Sequence, residues 1–267
     1  MPRDDVVLVD VEERIAVVTM NRPEARNALN RELGNRLPRV MMDVETRDDV
    51  DIIILTGTDP AFCAGVDFKE LGTGEITHPE LDDLRDDQGR FPWRGPFPPR
   101  TKPIIGAVNG PAVTGGFELA LGCDLLIASE RARFADTHAL VGIMPGWGLT
   151  IGLVQSVGAR RARELSLTGN YLDAQTALTW GLVNHVVPHR ELLDYCKELA
   201  RAMIGIDQRA LRRMLKTYEE IGLLAGAEAW ELEGQVSRDW MAGFDAVDFA
   251  RRSGGIMDRG RSQMGEK

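Results

Sequence analysis

The chain has 267 residues, 43% hydrophobic and 27% charged, enough for one full core or for a core with a helical appendage. No run of about 18 apolar residues exists to cross a bilayer, and the opening "MPRDDVVLVD" lacks the basic and apolar regions of a secretory signal, so a cytoplasmic protein without a membrane partner is expected. The formal charge of −9 argues against nucleic acid as a partner, since phosphate binding needs an excess of Lys and Arg.

In chain order, "VVLVDVEERIAVVTM" is rich in β-branched residues around an acidic centre and reads as a hairpin turning near Glu12 and Glu13. In the next segment Leu29, Leu33, Leu37, Val40, Met41 and Val44 recur at helical spacing, with Pro38 expected to kink or divide the helix. Three short apolar runs, Ile52 to Leu55, Ile104 to Val108 and Leu125 to Ala128, have the length of buried strands. The first two each lead through a glycine-containing loop into a helical pattern, which makes the fold class α/β. Between them, "GTGEITHPELDDLRDDQGRFPWRGPFPPRTK" is a long surface excursion of lid character.

After Trp147 the pattern is helical: Asp173 caps "AQTALTWG", "LVNHVV" reads as a short strand, and residues from Glu191 to Ala250 read mostly as amphipathic helix. "GARRARELS", with Arg160, Arg161 and Arg163, reads as a solvated helix face. Cys63, Cys123 and Cys196 are odd in number and widely spaced, the pattern of buried reduced thiols rather than of disulfides or a zinc site.

"KPIIGAVNGPAVTGGFELALGCD" carries the chemistry. A buried strand runs into Asn109, Gly110 and Pro111, and Gly115 and Gly116 then open a helix containing Glu118. The first turn of a helix presents unpaired N–H groups, so the Gly115 amide can meet an oxygen that becomes negative, with the Glu118 carboxylate one turn further on. The alternative is that the glycines only permit close helix packing. "TGTDPAFCAGVDFKEL" offers a second set of loop amides, and two amides meeting at one oxygen make an oxyanion hole.

Together with "NRPEARNALN" and "RFADTHALVGIMPGWG", these stretches resemble the enoyl-CoA hydratase/isomerase, or crotonase, superfamily, in family order from about Ile15 to Val187. The resemblance implies a spiral of ββα units over residues 1–200. A C-terminal helical region over 201–267 would serve contacts in a homo-oligomer, a trimer or hexamer. It implies acyl-CoA thioester substrates, with no metal or other cofactor. The oxyanion amides would be those of Val66 and Gly115. Ala64, Asp67, Phe68 and Lys69 would bind the thioester and pantetheine, and Arg26 would face CoA phosphates. Glu118 matches the family's first catalytic glutamate.

The second glutamate's position is occupied by His138. A neutral imidazole with its ordinary pKa of about 6.5 suits proton exchange. If the segment is extended, Asp136 lies on the same side and can orient the ring or act in its place. Trp147 replaces a small residue and would either narrow the acyl pocket or pack under the next helix. His78, His185 and His189 are expected to be structural. The expected activity is hydration of a 2-enoyl-CoA in fatty-acid or related metabolism. The alternatives are isomerisation of a 3-enoyl-CoA through Glu118 alone, other chemistry of the superfamily, and a non-catalytic member.

Overall fold

The acidic centre of the first apolar run turns the chain back on itself. Strand β1 (Val7–Glu12) pairs antiparallel with β2 (Ile15–Met20), and Glu13 and Arg14 make the turn with φ of 50° and 65°. Positive φ at both central residues gives a turn whose twist matches that of the two strands. The computed structural model describes residues 5–73, 79–91 and 93–218, with scattered positions beyond that include Trp230, Arg238 and Met241.

Helix α1 (Arg31–Thr46) follows, capped by Asn30, whose side chain accepts from the Leu33 N–H at 3.0 Å. It runs unbroken through Pro38. The residue whose carbonyl the proline ring would crowd is Gly34, which has no side chain to restrict local adjustment.

Strands β3 (Ile52–Gly57), β4 (Ile104–Val108), β6 (Leu125–Ser129) and β9 (His185–Val187) extend the hairpin into a six-stranded sheet ordered β1-β2-β3-β4-β6-β9, parallel beyond the hairpin. A second sheet joins β5 (Pro111–Val113), β7 (Arg133–Ala135) and β8 (Leu172–Asp173). Each pass of the chain lays one strand in each sheet before its helix: β4 and β5 lead to α3 (Gly115–Leu121), and β6 and β7 lead to α4 (His138–Val141). These are the ββα units of the expected spiral.

Strands β2, β3, β4 and β6 are buried on both faces, so they read as continuous apolar runs rather than alternating ones, whereas the edge strands β1 and β9 are partly exposed. Ile53 and Leu55 join the cluster containing Leu33, Leu37 and Phe117, whereas Ile52 and Ile54 face Leu192, Cys196 and Ala200 of helix α8 (Leu192–Ile204). Helices α2 (Phe68–Leu71), α5 (Leu149–Val157), α6 (Ala159–Thr168) and α7 (Ala174–Trp180) complete the named set. Arg160, Arg161 and Arg163 are exposed on α6, as expected. Cys63 and Cys196 are buried, Cys123 is half-buried, and all three are free. Of the C-terminal region, helix is described over 208–218, and most of the remainder, like His78, lies outside the described residues.

Candidate active site

The site is assembled where two loops are stitched together. The loop after β3 makes a parallel bridge from Cys63 to Ala112, with Val113 N–H donating to the Cys63 carbonyl at 3.0 Å. On its other side it bridges Leu29 to Val66: Leu29 N–H donates to Gly65 O at 2.7 Å, and Asp67 N–H to Leu29 O at 3.0 Å. A parallel bridge of this kind uses the amides on either side of Val66, so the Val66 N–H itself points away from Leu29. Gly65, at φ +89°, has no room for a side chain, since a Cβ would stand 2.6 Å from the Val113 carbonyl oxygen. Gly116 is tighter still: a Cβ there would meet the Cys63 carbonyl oxygen at 2.1 Å.

Thr114 turns the chain from β5 into α3 at φ 53° and ψ −117°, a sparsely populated conformation for a residue with a side chain. Its hydroxyl bonds that of Thr137 at 2.5 Å and its N–H donates to Ala135 O at 3.0 Å. Those two bonds hold the strained residue to the β7–α4 connection. The Gly115 amide is thereby fixed as the first N–H of α3, a position with no intrahelical acceptor.

Glu118, 4% exposed, lies one turn along α3. Its Oε1 accepts from the N–H groups of Gly146 at 3.2 Å and Trp147 at 2.7 Å, which fixes the carboxylate. Its Oε2 faces His138 Nε2 at 3.5 Å. The other ring nitrogen, Nδ1, donates to Asp136 Oδ1 at 2.7 Å, and the same oxygen accepts the His138 backbone N–H at 3.2 Å. Because a carboxylate only accepts, Nδ1 carries a proton.

Three buried titratable side chains thus form one chain, Asp136 to His138 to Glu118. Asp136 and His138 do not share an extended strand: β7 ends at Ala135 and His138 opens α4. They meet because Asp136 bonds the start of that helix. Burial opposes charge on the imidazole, but the carboxylates of Asp136 and Glu118 outweigh it and push the His138 pKa up to about 9. The ordinary value near 6.5 therefore does not hold here, and the ring is cationic at neutral pH. Burial likewise opposes charge on Asp136, but the His138 cation prevails and holds the carboxyl below its usual range.

Trp147 stands beside the Gly115 amide, its ring 3.9 Å from where a Gly115 Cβ would be, with Leu29 on the same side at 3.1 Å. The Asp67 side chain is committed to the protein: it caps α2 by accepting from Lys69 N–H at 3.0 Å and pairs with Arg22 at 3.1 Å. Arg26 contributes its carbonyl to the Ala64 N–H at 3.0 Å. Phe68 is half-buried and packs with Leu71, Val141 and Ile143, whereas Lys69 is exposed. His185 packs on Tyr195 and His189 bridges Ser129 to Asp59, both outside this cluster. Among the described residues no group of three His, Cys, Asp or Glu side chains could hold a metal ion, and no helix is long and apolar enough to cross a membrane.

Sequence reasoning missed Thr114, Thr137, Arg22 and the amides of Gly146 and Trp147. Only the last two had a signal, the glycine-rich run Pro145–Gly148 in an apolar segment.

Residues 10–243 match the family model described as enoyl-CoA hydratase/isomerase. The chain belongs to the enoyl-CoA hydratase/isomerase family. Among its relatives, a probable peroxisomal enoyl-CoA hydratase 1 of Arabidopsis thaliana is 37% identical over 256 residues, 95% of this chain and 93% of the relative. A 2,3-dehydroadipyl-CoA hydratase of Escherichia coli K12 is 36% identical over 82% of this chain and 85% of its own length. The crystal structure of an enoyl-CoA hydratase from Mycobacterium smegmatis superposes with a TM-score of 0.79 at 46% identity, covering 90% of this chain and 99% of that one. This enoyl-CoA hydratase/isomerase family member has the crotonase fold of its solved relatives.

Proposed function

We propose that the protein is an enzyme that reversibly hydrates a 2-enoyl-CoA, with Glu118 and His138 acting on the two ends of the double bond. The observation that carries the reading is the Glu118 carboxylate facing the His138 imidazole at 3.5 Å, both buried, one helical turn from the Gly115 amide.

The thioester oxygen binds the Val66 and Gly115 amides, which favour the enolate because they are aimed where negative charge develops. Glu118 takes a proton from water as the water oxygen bonds to the β-carbon. The double-bond electrons pass through the α-carbon to the thioester oxygen, and cationic His138 gives its Nε2 proton to the α-carbon. Water has then supplied hydroxyl and, in net, hydrogen, and the proton on Glu118 returns to His138 across the short gap. The family relatives named as hydratases support this reading over isomerisation.

The test is loss of the conjugated enoyl-thioester absorbance on incubation with crotonyl-CoA. Glu118→Gln and His138→Ala are each expected to lower kcat by about a hundredfold or more, the usual contribution of a positioned acid or base. Wild-type turnover in either variant, or activity confined to a 3-enoyl-CoA, would overturn the assignment. No metal or cofactor enters the proposed reaction, so prior treatment with EDTA is expected to leave kcat/KM unchanged.

The proposed setting is a cytoplasmic trimer or hexamer. Free cysteines fit a reducing compartment, and exposed Ile206, Met214 and Tyr218 offer apolar surface for assembly. Light scattering on the full chain gives the subunit number.

A further inference from the structure

A cavity of about 510 Å³ opens between α1, the segments 81–91 and 93–96 and the turn at Gly146 and Trp147. Trp147 belongs to both the cavity and the proposed reaction centre: its N–H holds Glu118 Oε1 at 2.7 Å, and its indole stands beside Gly115. An acyl chain leaving the thioester past Trp147 therefore enters this space. Trp230 closes one side, its ring lying so close to Gly95 and Gly148 that a Cβ on either would stand 3.4 Å and 2.4 Å from the indole.

The charge of the lining runs against that of the molecule. The chain carries 41 acidic residues against 32 Lys and Arg, yet the described lining holds Arg85, Arg90, Arg94 and Arg238 with Asp86 as its one carboxylate. Arg85 lies over the Phe91 ring at 4.1 Å and pairs with Asp82 at 3.0 Å, and Arg90 pairs with Asp86 at 3.1 Å. Asp82 is 64% exposed, and an exposed pair contributes so little that an incoming carboxylate can take its place, whereas Asp86 also accepts the Gln88 and Arg90 N–H groups at 2.9 and 2.8 Å and stays with Arg90. A methyl-ended chain would bring only apolar atoms to these guanidinium groups, whereas a carboxylate would find planar, charged donors.

We infer that this cavity is the acyl-tail subsite and that it selects acyl groups ending in a carboxylate. The inference rests on the hydratase reading for the direction of the acyl chain. The phosphates of CoA are the other anions these arginines could hold, and a pair of ligands differing only at the tail separates the two.

Calorimetry on the full chain, comparing adipoyl-CoA with hexanoyl-CoA, is the test. Adipoyl-CoA is expected to bind about tenfold tighter at low salt, as one charge-assisted contact would give. That ratio should fall toward one on adding salt and in Arg90→Gln, Arg94→Gln and Arg238→Gln. Equal affinity for the two ligands in the wild type overturns the inference, as does an equal loss on both in the arginine variants, which would assign the guanidinium groups to CoA phosphates. Both ligands are saturated, so binding reads the subsite independently of turnover, and failure to hydrate crotonyl-CoA would count against the hydratase reading alone.

Discussion

His138 occupies a position where the family resemblance places a carboxylate, and its surroundings make the substitution a change of charge. Two acids sharing a pocket repel and one holds a proton, whereas an imidazole between two acids is itself held protonated. With a pKa near 9, His138 keeps its proton throughout the neutral range, as the proposed role of proton donor requires. The alkaline limb of the kcat/KM profile is accordingly expected near pH 9 and should move to lower pH in Asp136→Asn, which removes the carboxylate bonded to the ring at 2.7 Å. A limb that stays in place would show that Asp136 does not set the proton affinity of the ring.

The same shift has a stability consequence. The folded pKa lies above the unfolded value of about 6.5, so the stabilisation is complete below that pH and is lost as pH rises through about 9. Urea midpoints should therefore fall more between pH 6 and pH 9.5 in the wild type than in His138→Ala. The sequence showed Asp136 in a position to orient His138, but neither the raised pKa nor the fact that a helix start, rather than a strand face, brings the two together.

Among the elements, the short helix α3 matters most, because it supplies Gly115 and Glu118 from one rigid turn. The strand, loop, helix order and the glycine pair at its start were readable. The second sheet was not: β5 and β7 are three residues each, β5 sat inside a stretch that read as loop, and the extended reading of the β7 segment said nothing of its partner. Their pairing is nevertheless what places the β5–α3 turn against the β7–α4 connection. Gly116 tests how closely the two loops must approach. Gly116→Ala forces a methyl group against the Cys63 carbonyl oxygen, and since backbone must move to admit it, a loss of about 1–3 kcal/mol in stability is expected. Activity should fall further than stability explains, because the displaced backbone includes the Val66 and Gly115 amides; this is checked by kcat at a temperature where the variant remains folded. Wild-type kcat would show that the amide spacing is not critical.

At the scale of the whole molecule, the fold is built on a mixed sheet whose inner, parallel strands are buried from both sides, with the site at the ends of β3 and β4 where their loops lean together. The apolar runs "IIILTG" and "IIGAV" announced burial but could not say what covered each face. The answer joins distant parts of the chain: α1 and α3 cover one side, and α8, more than 130 residues beyond β3, covers the other. A sheet solvated on one face would tolerate truncation at every second residue. Here neighbouring residues of one strand point to different cores and neither reaches water. Ile53→Ala and Ile54→Ala are therefore each expected to cost about 2–5 kcal/mol. Urea denaturation of the two variants decides the point. A marked asymmetry, with Ile54→Ala nearly neutral, would mean that α8 does not seal its face and that residues beyond β9 are an appendage to the fold rather than part of its core.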